Sequence, residues 1–256
     1  MEVVLSSWCD KLASTPSVGF GFDWRFATGE AVLAGLSRLL DPLVSNERPQ
    51  FTINRTDPFS VTIMRQDGFS YGIEPSKAFV TFQHTMRARP VSGAAPVMEM
   101  LSQPMPYTAL LPEVAKMLVE MALLIPHGHG RKVIRVGVVA TTVVDEDEVP
   151  PGVKRLIEWI SRPWASLDSF SVQATAVLCR HEKWTDRCFH TLIKSENPDE
   201  LMTITLDWQR TFATGQSIAQ ESLRRIVEHA QEDALLYFED IAEGGRFDER
   251  LDSPAT

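Results

Sequence analysis

The sequence predicts an α+β protein in which two β-α-β-β-β-α halves form an antiparallel sheet with helices on one face. Apolar residues alternate at period two in several segments, which predicts half-buried strands, and recur at period 3.6 in others, which predicts helices. The order strand, helix, several strands, long helix occurs at residues 18–125 and again at 133–241. We therefore expect an N-terminal half at 1–126 and a C-terminal half at 127–256, joined in one compact domain.

The first half begins with helix and strand signals. Apolar residues at helical spacing predict a short leading helix at residues 4–12. Aromatic residues then alternate with small or polar ones, which predicts a strand with one buried face: Phe20, Phe22, Trp24 and Phe26. Thr28 is the predicted N-cap of the next helix. The apolar stripe of that helix is Leu33, Leu36, Leu40 and Leu43.

Strands and turns fill the middle of this half. Turn residues separate four predicted strands, at 50–55, 59–65, 69–73 and 78–89. The long last strand places His84 on its packed face and Arg87 and Arg89 on its solvated face. Proline and glycine at 90–106 predict a loop across one end of the sheet. Residues 110–125 are apolar around most of a helix, which predicts a largely buried closing helix.

The second half repeats this order. Residues 133–144 are rich in β-branched side chains and predict a strand. The acidic run 145–148 precedes a short proline-initiated helix, where carboxylates are stabilised by the helix dipole; metal binding is the alternative. Three more strands are predicted at 170–178, 188–194 and 201–212. Ser217 and Gln220 predict a capping box for the last helix.

The sharpest candidate for chemistry is Cys179-x-His181 followed by Cys188-x-His190. A hairpin turning at residues 183–186 would place Cys179 opposite His190 and His181 opposite Cys188, with all four side chains on one face. Two thiolates and two imidazoles are a zinc-type ligand set. Neighbours on one face of a strand stand about 7 Å apart, however, whereas zinc needs ligand atoms within about 2.0–2.3 Å. We therefore expect no metal and no cofactor, and keep zinc binding as the alternative.

Other polar residues have a structural and a functional interpretation. His127 and His129 lie between glycines and predict a loop, or an imidazole pair for a metal or phosphate. We expect hydrogen bonds within the fold for His84 and Asp207. Arg87 and Arg89 form a candidate binding face for a carboxylate or phosphate, although paired surface arginines also serve solubility alone.

Composition narrows the class of function. A formal net charge of -9 disfavours nucleic acid and anionic membranes, because both bind cationic surfaces. The sequence contains no run of about 18 consecutive apolar residues, so we predict no membrane span. Three cysteines and no evident signal peptide predict a reduced, cytoplasmic protein. The nucleophile-elbow, phosphate-loop and dinucleotide motifs are absent from the sequence.

The strands at 133–144 and 201–207, with the long closing helix through Phe238 and Ile241, resemble in order a sporadically distributed family of uncharacterised prokaryotic proteins of similar length. Each half is similar in layout to the repeat of a TATA-box-binding-protein-like fold. This resemblance implies a duplicated saddle and transfers no catalytic residues. DNA-binding saddles need a basic underside, which the negative charge of this chain disfavours.

We expect a noncatalytic protein-interaction or adaptor module rather than an enzyme. It would bind a protein partner or its own copy through the open sheet face or an edge strand. The alternative is a zinc hydrolase or regulator built on Cys179, His181, Cys188 and His190.

Overall fold

A computed structural model describes residues 17–24, 29–45, 51–57, 60–91, 94–102, 107–125, 132–145, 148–162, 169–195 and 202–244. These residues form four helices: α1 (Gly29–Ser45), α2 (Tyr107–Leu124), α3 (Pro151–Ser161) and α4 (Gln220–Glu243). They also form eleven strands: β1 (Ser17–Trp24), β2 (Phe51–Asp57), β3 (Ser60–Arg65), β4 (Phe69–Ile73), β5 (Lys77–Phe82), β6 (Met86–Val91), β7 (Ala94–Met100), β8 (Lys132–Val144), β9 (Phe170–Arg180), β10 (Trp184–Lys194) and β11 (Met202–Ser217).

One large sheet organises the molecule. Its nine strands lie in the order β2-β3-β4-β5-β1-β8-β11-β10-β9, and all neighbours are antiparallel. Strands β6 and β7 pair only with each other, as a separate hairpin. The predicted α+β class with a large antiparallel sheet is confirmed.

The helices form a single layer on one face of this sheet, as predicted. Helix α2 packs on β1 and β5, and α4 packs on β8 and β11. Neighbouring helices contact one another in the order α1-α2-α4-α3. Alternate strand residues are buried beneath this layer, among them Phe22, Val80, Val138, Leu206 and Trp208. The opposite face, which no described helix covers, is called the helix-free face below.

The predicted layout of two equivalent halves is not confirmed. Residues 132–243 have the expected order β-α-β-β-β-α, whereas residues 17–124 contain an additional strand and the β6–β7 hairpin. The strand predicted at 78–89 is interrupted after Phe82, because the next residues bond to a neighbouring turn: Gln83 N–H donates to the Gly68 carbonyl at 3.0 Å. Gly68 has a φ of 101°, a conformation that favours glycine. The loop predicted at 90–106 is partly strand.

Three smaller predictions were wrong in whole or in part. In the apolar stripe of α1, Leu36 is buried and Leu40 packs against the core as predicted, but Leu33 is 42% exposed and the stripe also includes the buried Val32 and Leu39. Strand β10 begins at Trp184 rather than at residue 188. No capping box starts α4: Ala219 is its N-cap without a side-chain bond, and the Ser217 hydroxyl accepts from the Ala219 N–H instead. The leading helix, Thr28 and the loop carrying His127 and His129 lie outside the described residues.

Candidate interaction surfaces

The β9–β10 hairpin does not bring the four predicted zinc ligands together. Cys179 pairs with Asp186 and His190 pairs with Ala174, so the predicted register was wrong. The turn is tighter than predicted, with the His181 N–H donating to the Trp184 carbonyl at 2.9 Å. A bulge between Asp186 and Arg187 then shifts the register further.

The four side chains have separate environments. Cys188 and His190 point toward the helix layer and are buried, and the His190 Nε2 lies 2.9 Å from the Tyr237 hydroxyl of α4. Burial lowers the pKa of His190 and raises the pKa of Cys188. Cys179 and His181 are exposed, and the His181 ring stacks on Trp184. Within the described ranges, no cluster of three or more Cys, His, Asp or Glu residues could hold a metal ion.

His84 and Asp207 form hydrogen bonds within the fold, as predicted. The His84 Nδ1 lies 3.1 Å from the Ser102 hydroxyl, at the base of the β6–β7 hairpin. The Asp207 carboxylate accepts from the Gln209 amide at 2.7 Å.

A polar network occupies the centre of the helix-free face. Arg135 on β8 forms an ion pair with Asp23 on β1 and donates to the Gln209 amide oxygen at 3.0 Å. Gln209 in turn donates to Asp207 on β11. Desolvation raises the pKa of Asp207. Gly137 lies in the same rows, and a Cβ there would meet Asp207 and Gln209 atoms only at ordinary contact distances of 3.6–3.8 Å. In this network Arg135 already has a carboxylate partner, Asp23.

One face of the β6–β7 hairpin carries several of the exposed large apolar side chains of the described residues. Met86 pairs with Met100 and Ala88 pairs with Met98, so these four side chains share a face, called the methionine face below. Met86, Met98 and Met100 are 57%, 58% and 45% exposed. The hairpin makes no more than isolated contacts with the other described elements. A backbone bond from Leu101 N–H to the Thr85 carbonyl closes its base.

The predicted arginine pair lies on the other face of this hairpin. Arg87 forms an ion pair with Glu99 at 3.1 Å, and Arg89 stands opposite Val97. Both arginines are exposed. They project from the body on a two-stranded arm, rather than from the wet face of a strand in the main sheet.

A charged cluster beneath α4 was missed by sequence reasoning. Arg210 donates to both Asp186 carboxylate oxygens and to Asp233, each at 2.7 Å. Its guanidinium also lies 5.0 Å from the centre of the Trp184 ring and 5.3 Å from that of Trp208. The sequence signal for this cluster was the position of Arg210 two residues after Trp208, in a strand whose even-numbered residues are buried from Met202 to Trp208. Since every charge is paired, the cluster is structural.

The described residues also form a cleft in the helix layer. It is lined by Arg38, Tyr71, Met117, Glu120 and Leu124. Arg38 donates to the Leu124 carbonyl at 3.2 Å and the Tyr71 hydroxyl contacts the Met117 sulfur, so these polar atoms are engaged within the fold.

None of the described helices is sufficiently long and apolar to cross a lipid bilayer. Comparison of the chain with protein-family models, with curated proteins and with solved structures gives no match. The geometry of the surfaces above is therefore the basis for assigning a function.

Proposed function

We propose that this chain is a noncatalytic protein-interaction module that binds a protein partner through the methionine face of the β6–β7 hairpin and the helix-free face of the sheet. The exposed methionine face is the observation that carries the proposal. A contiguous apolar patch on a soluble protein marks an interaction site. Methionine suits such a site because its flexible, polarisable side chain adapts to different partners.

Among the described elements, none supplies the packing that normally stabilises a two-stranded sheet. An isolated hairpin is marginally stable in water and needs a further strand or helix against its apolar face. All described side chains at residues 86–90 and 97–100 are exposed. A partner that covers Met86, Met98 and Met100 would supply the missing layer.

The expected binding strength requires a second contact. Full burial of one methionine side chain contributes about 1.5–3 kcal/mol, and association costs on the order of 4–15 kcal/mol. Three methionines alone therefore give weak binding. The helix-free face offers a larger surface of threonine, valine and phenylalanine side chains, with one ion pair at its centre. Its neutralised Arg135 favours a protein surface over a polyanion.

The zinc hydrolase alternative is disfavoured by the placement of its residues. Cys188 and His190 point into the helix layer, whereas Cys179 and His181 are exposed at the far end of the hairpin. A metal-based mechanism would need these strands to re-pair in a different register.

The test compares two glutamine substitutions at exposed apolar positions. Met98→Gln lies on the methionine face, and Leu236→Gln lies on α4, where Leu236 is 66% exposed. Affinity capture from native cells, quantified by mass spectrometry, should yield a partner whose recovery falls about tenfold with Met98→Gln, or about 1.4 kcal/mol. Recovery should be unchanged with Leu236→Gln. Thr191→Lys examines the helix-free face separately and should also reduce recovery.

Two results would reject the proposal. One is capture of the same proteins, in the same amounts, by wild type and Met98→Gln. The other is the absence of any specifically captured protein while circular dichroism shows that the bait is folded.

A further inference from the structure

The second edge of the large sheet carries an independent inference. Strand β9 ends the sheet: it pairs with β10 on one side, and no described strand lies on its other side. Most of its side chains are exposed, including Gln173, Ala174 and Thr175. Its outward N–H and C=O groups are thus a template for another strand.

Strand β9 also lacks the features by which edge strands avoid such pairing. Short length, charged residues, proline and bulges are the usual protection. Strand β9 has eleven residues, and its first ten, 170–179, include no charged residue, proline or glycine. Its one bulge lies beyond Val177, which leaves 170–177 regular. The opposite edge, β2, has seven residues and contains Arg55 and Asp57.

We propose that β9 pairs antiparallel with β9 of a second copy, about a two-fold axis that is perpendicular to the sheet and lies midway between the two copies of Ala174. Residues opposite one another in such a pair have numbers of the same parity and point to the same face. The helix layers of both copies then lie on one side. Val172 faces the partner's Ala176, Gln173 faces the partner's Thr175, and the small Ala174 faces its own copy. The result is a continuous sheet of eighteen strands, twice the nine in one chain.

The charge of the chain and the self-complementary sequence of β9 favour a second copy of the chain as the source of the pairing strand. Two chains that each carry a net charge of -9 repel. An edge without ionised side chains until Arg180 is a place where they can approach closely. Every pair in this register joins small, apolar or neutral polar residues. A two-fold interface needs this kind of surface, which is complementary to itself.

The interface is small and so gives a concentration-dependent dimer. The seven regular residues that pair in this register, 171–177, span about 24 Å at about 3.4 Å each. One strand pair of this length buries less than the roughly 1,200–2,000 Å² of a standard stable interface. We expect a dissociation constant in the micromolar range. This dimer does not involve the β6–β7 hairpin, so its test is independent of the test of the function proposed above.

The test uses charge at the two-fold axis. Sedimentation velocity of the full chain between about 1 and 200 µM should show a reversible monomer–dimer equilibrium. Ala174→Lys and Ala174→Glu each place like charges directly opposite one another, which is destabilising, and each should weaken dimerisation at least about tenfold. An equimolar mixture of the two variants should restore it, since lysine then faces glutamate.

The matched control is Ala88→Lys, the same substitution at an exposed strand alanine on the hairpin. It should leave the dimer intact while reducing capture of the protein partner. Hydrogen exchange should show β9 amides that become protected as the concentration rises. The proposal is overturned by a wild-type chain that stays monomeric, by a dimer insensitive to Ala174→Lys, or by no rescue in the mixture. Protection in the monomer of the β9 amides that point away from β10 also overturns it, since a segment of the same chain would then occupy the edge.

Discussion

Removal of the Arg210 guanidinium should destabilise the protein more than any other single change in its cluster. The Arg210 side chain is 11% exposed and Asp186 is 9% exposed, whereas Asp233 is 45% exposed. Arg210→Met keeps much of the side-chain volume over Trp184 and Trp208 but leaves the Asp186 carboxylate buried without its cation. Loss of one partner of a buried pair costs about 3–5 kcal/mol.

For Arg210→Met we expect the free energy of unfolding to fall by about 3 kcal/mol, the lower end of this range. The second carboxylate of the cluster is partly solvated, so its loss of a partner adds less than about 1 kcal/mol. Asp186→Asn leaves Arg210 its bond to Asp233 and should cost about 1.5–3 kcal/mol, the usual contribution of a hydrogen bond to a charged group. Of the three substitutions, Asp233→Asn should lower the free energy of unfolding least.

Thermal and urea denaturation of the three single variants and of the Arg210→Met/Asp186→Asn double variant tests this order. A chain of this size shifts its melting temperature by about 2–4 °C per kcal/mol, so Arg210→Met should melt about 6–12 °C below wild type. The double variant should cost less than the sum of the two single ones, because no charge is then left buried. Strict additivity, or a melting temperature for Arg210→Met within about 2 °C of wild type, would refute the reasoning.

Three further predictions concern other buried groups. In the native state a thiol reagent should modify the exposed Cys179 well before Cys188, whose pKa burial raises, and peptide mass spectrometry checks the order. Burial lowers the pKa of His190 from 6.5. The contribution of the neutral His190 to stability is therefore complete above pH 6.5 and is lost as the pH falls below it. Between about pH 7 and pH 5, the urea midpoint should drop less in His190→Gln than in wild type. Gly152→Ala should destabilise by at least about 2 kcal/mol, because a Cβ there would lie 1.9 Å from a backbone oxygen of α4. Gly137→Ala, whose Cβ has ordinary contacts, is its control in the same melting assay.

The predictable parts of the fold are those that local patterns determine. Strand β4 was predicted with the bounds that it has, because turn residues flank a short run of β-branched and aromatic side chains. The closing helix at 110–125 was predicted close to its observed bounds from its apolar circumference. The α+β class was predicted from the combination of such locally determined helices and strands.

The errors come from contacts distant in sequence. The break after Phe82 depends on bonds from Gln83 and Thr85 to the turn containing Gly68, which no local pattern contains. The hairpin register depends on a bulge opposite Asp186 and on a turn stabilised by stacking of His181 on Trp184. The tightened turn moves the partner of Cys179 by four residues along β10, from His190 to Asp186, so the predicted ligand set is spread along the two strands.

The methionine face shows how an interaction surface escapes a pattern-based prediction. Met86, Met98 and Met100 alternate as a strand predicts, but the prolines around them favoured a loop. In the main sheet the same alternation indicates burial, since a helix covers one face. On the hairpin it leaves the side chains exposed, because no described helix lies over β6 and β7. Apolar periodicity therefore predicts which residues share a face, and only the tertiary structure decides whether the chain itself or a partner covers it.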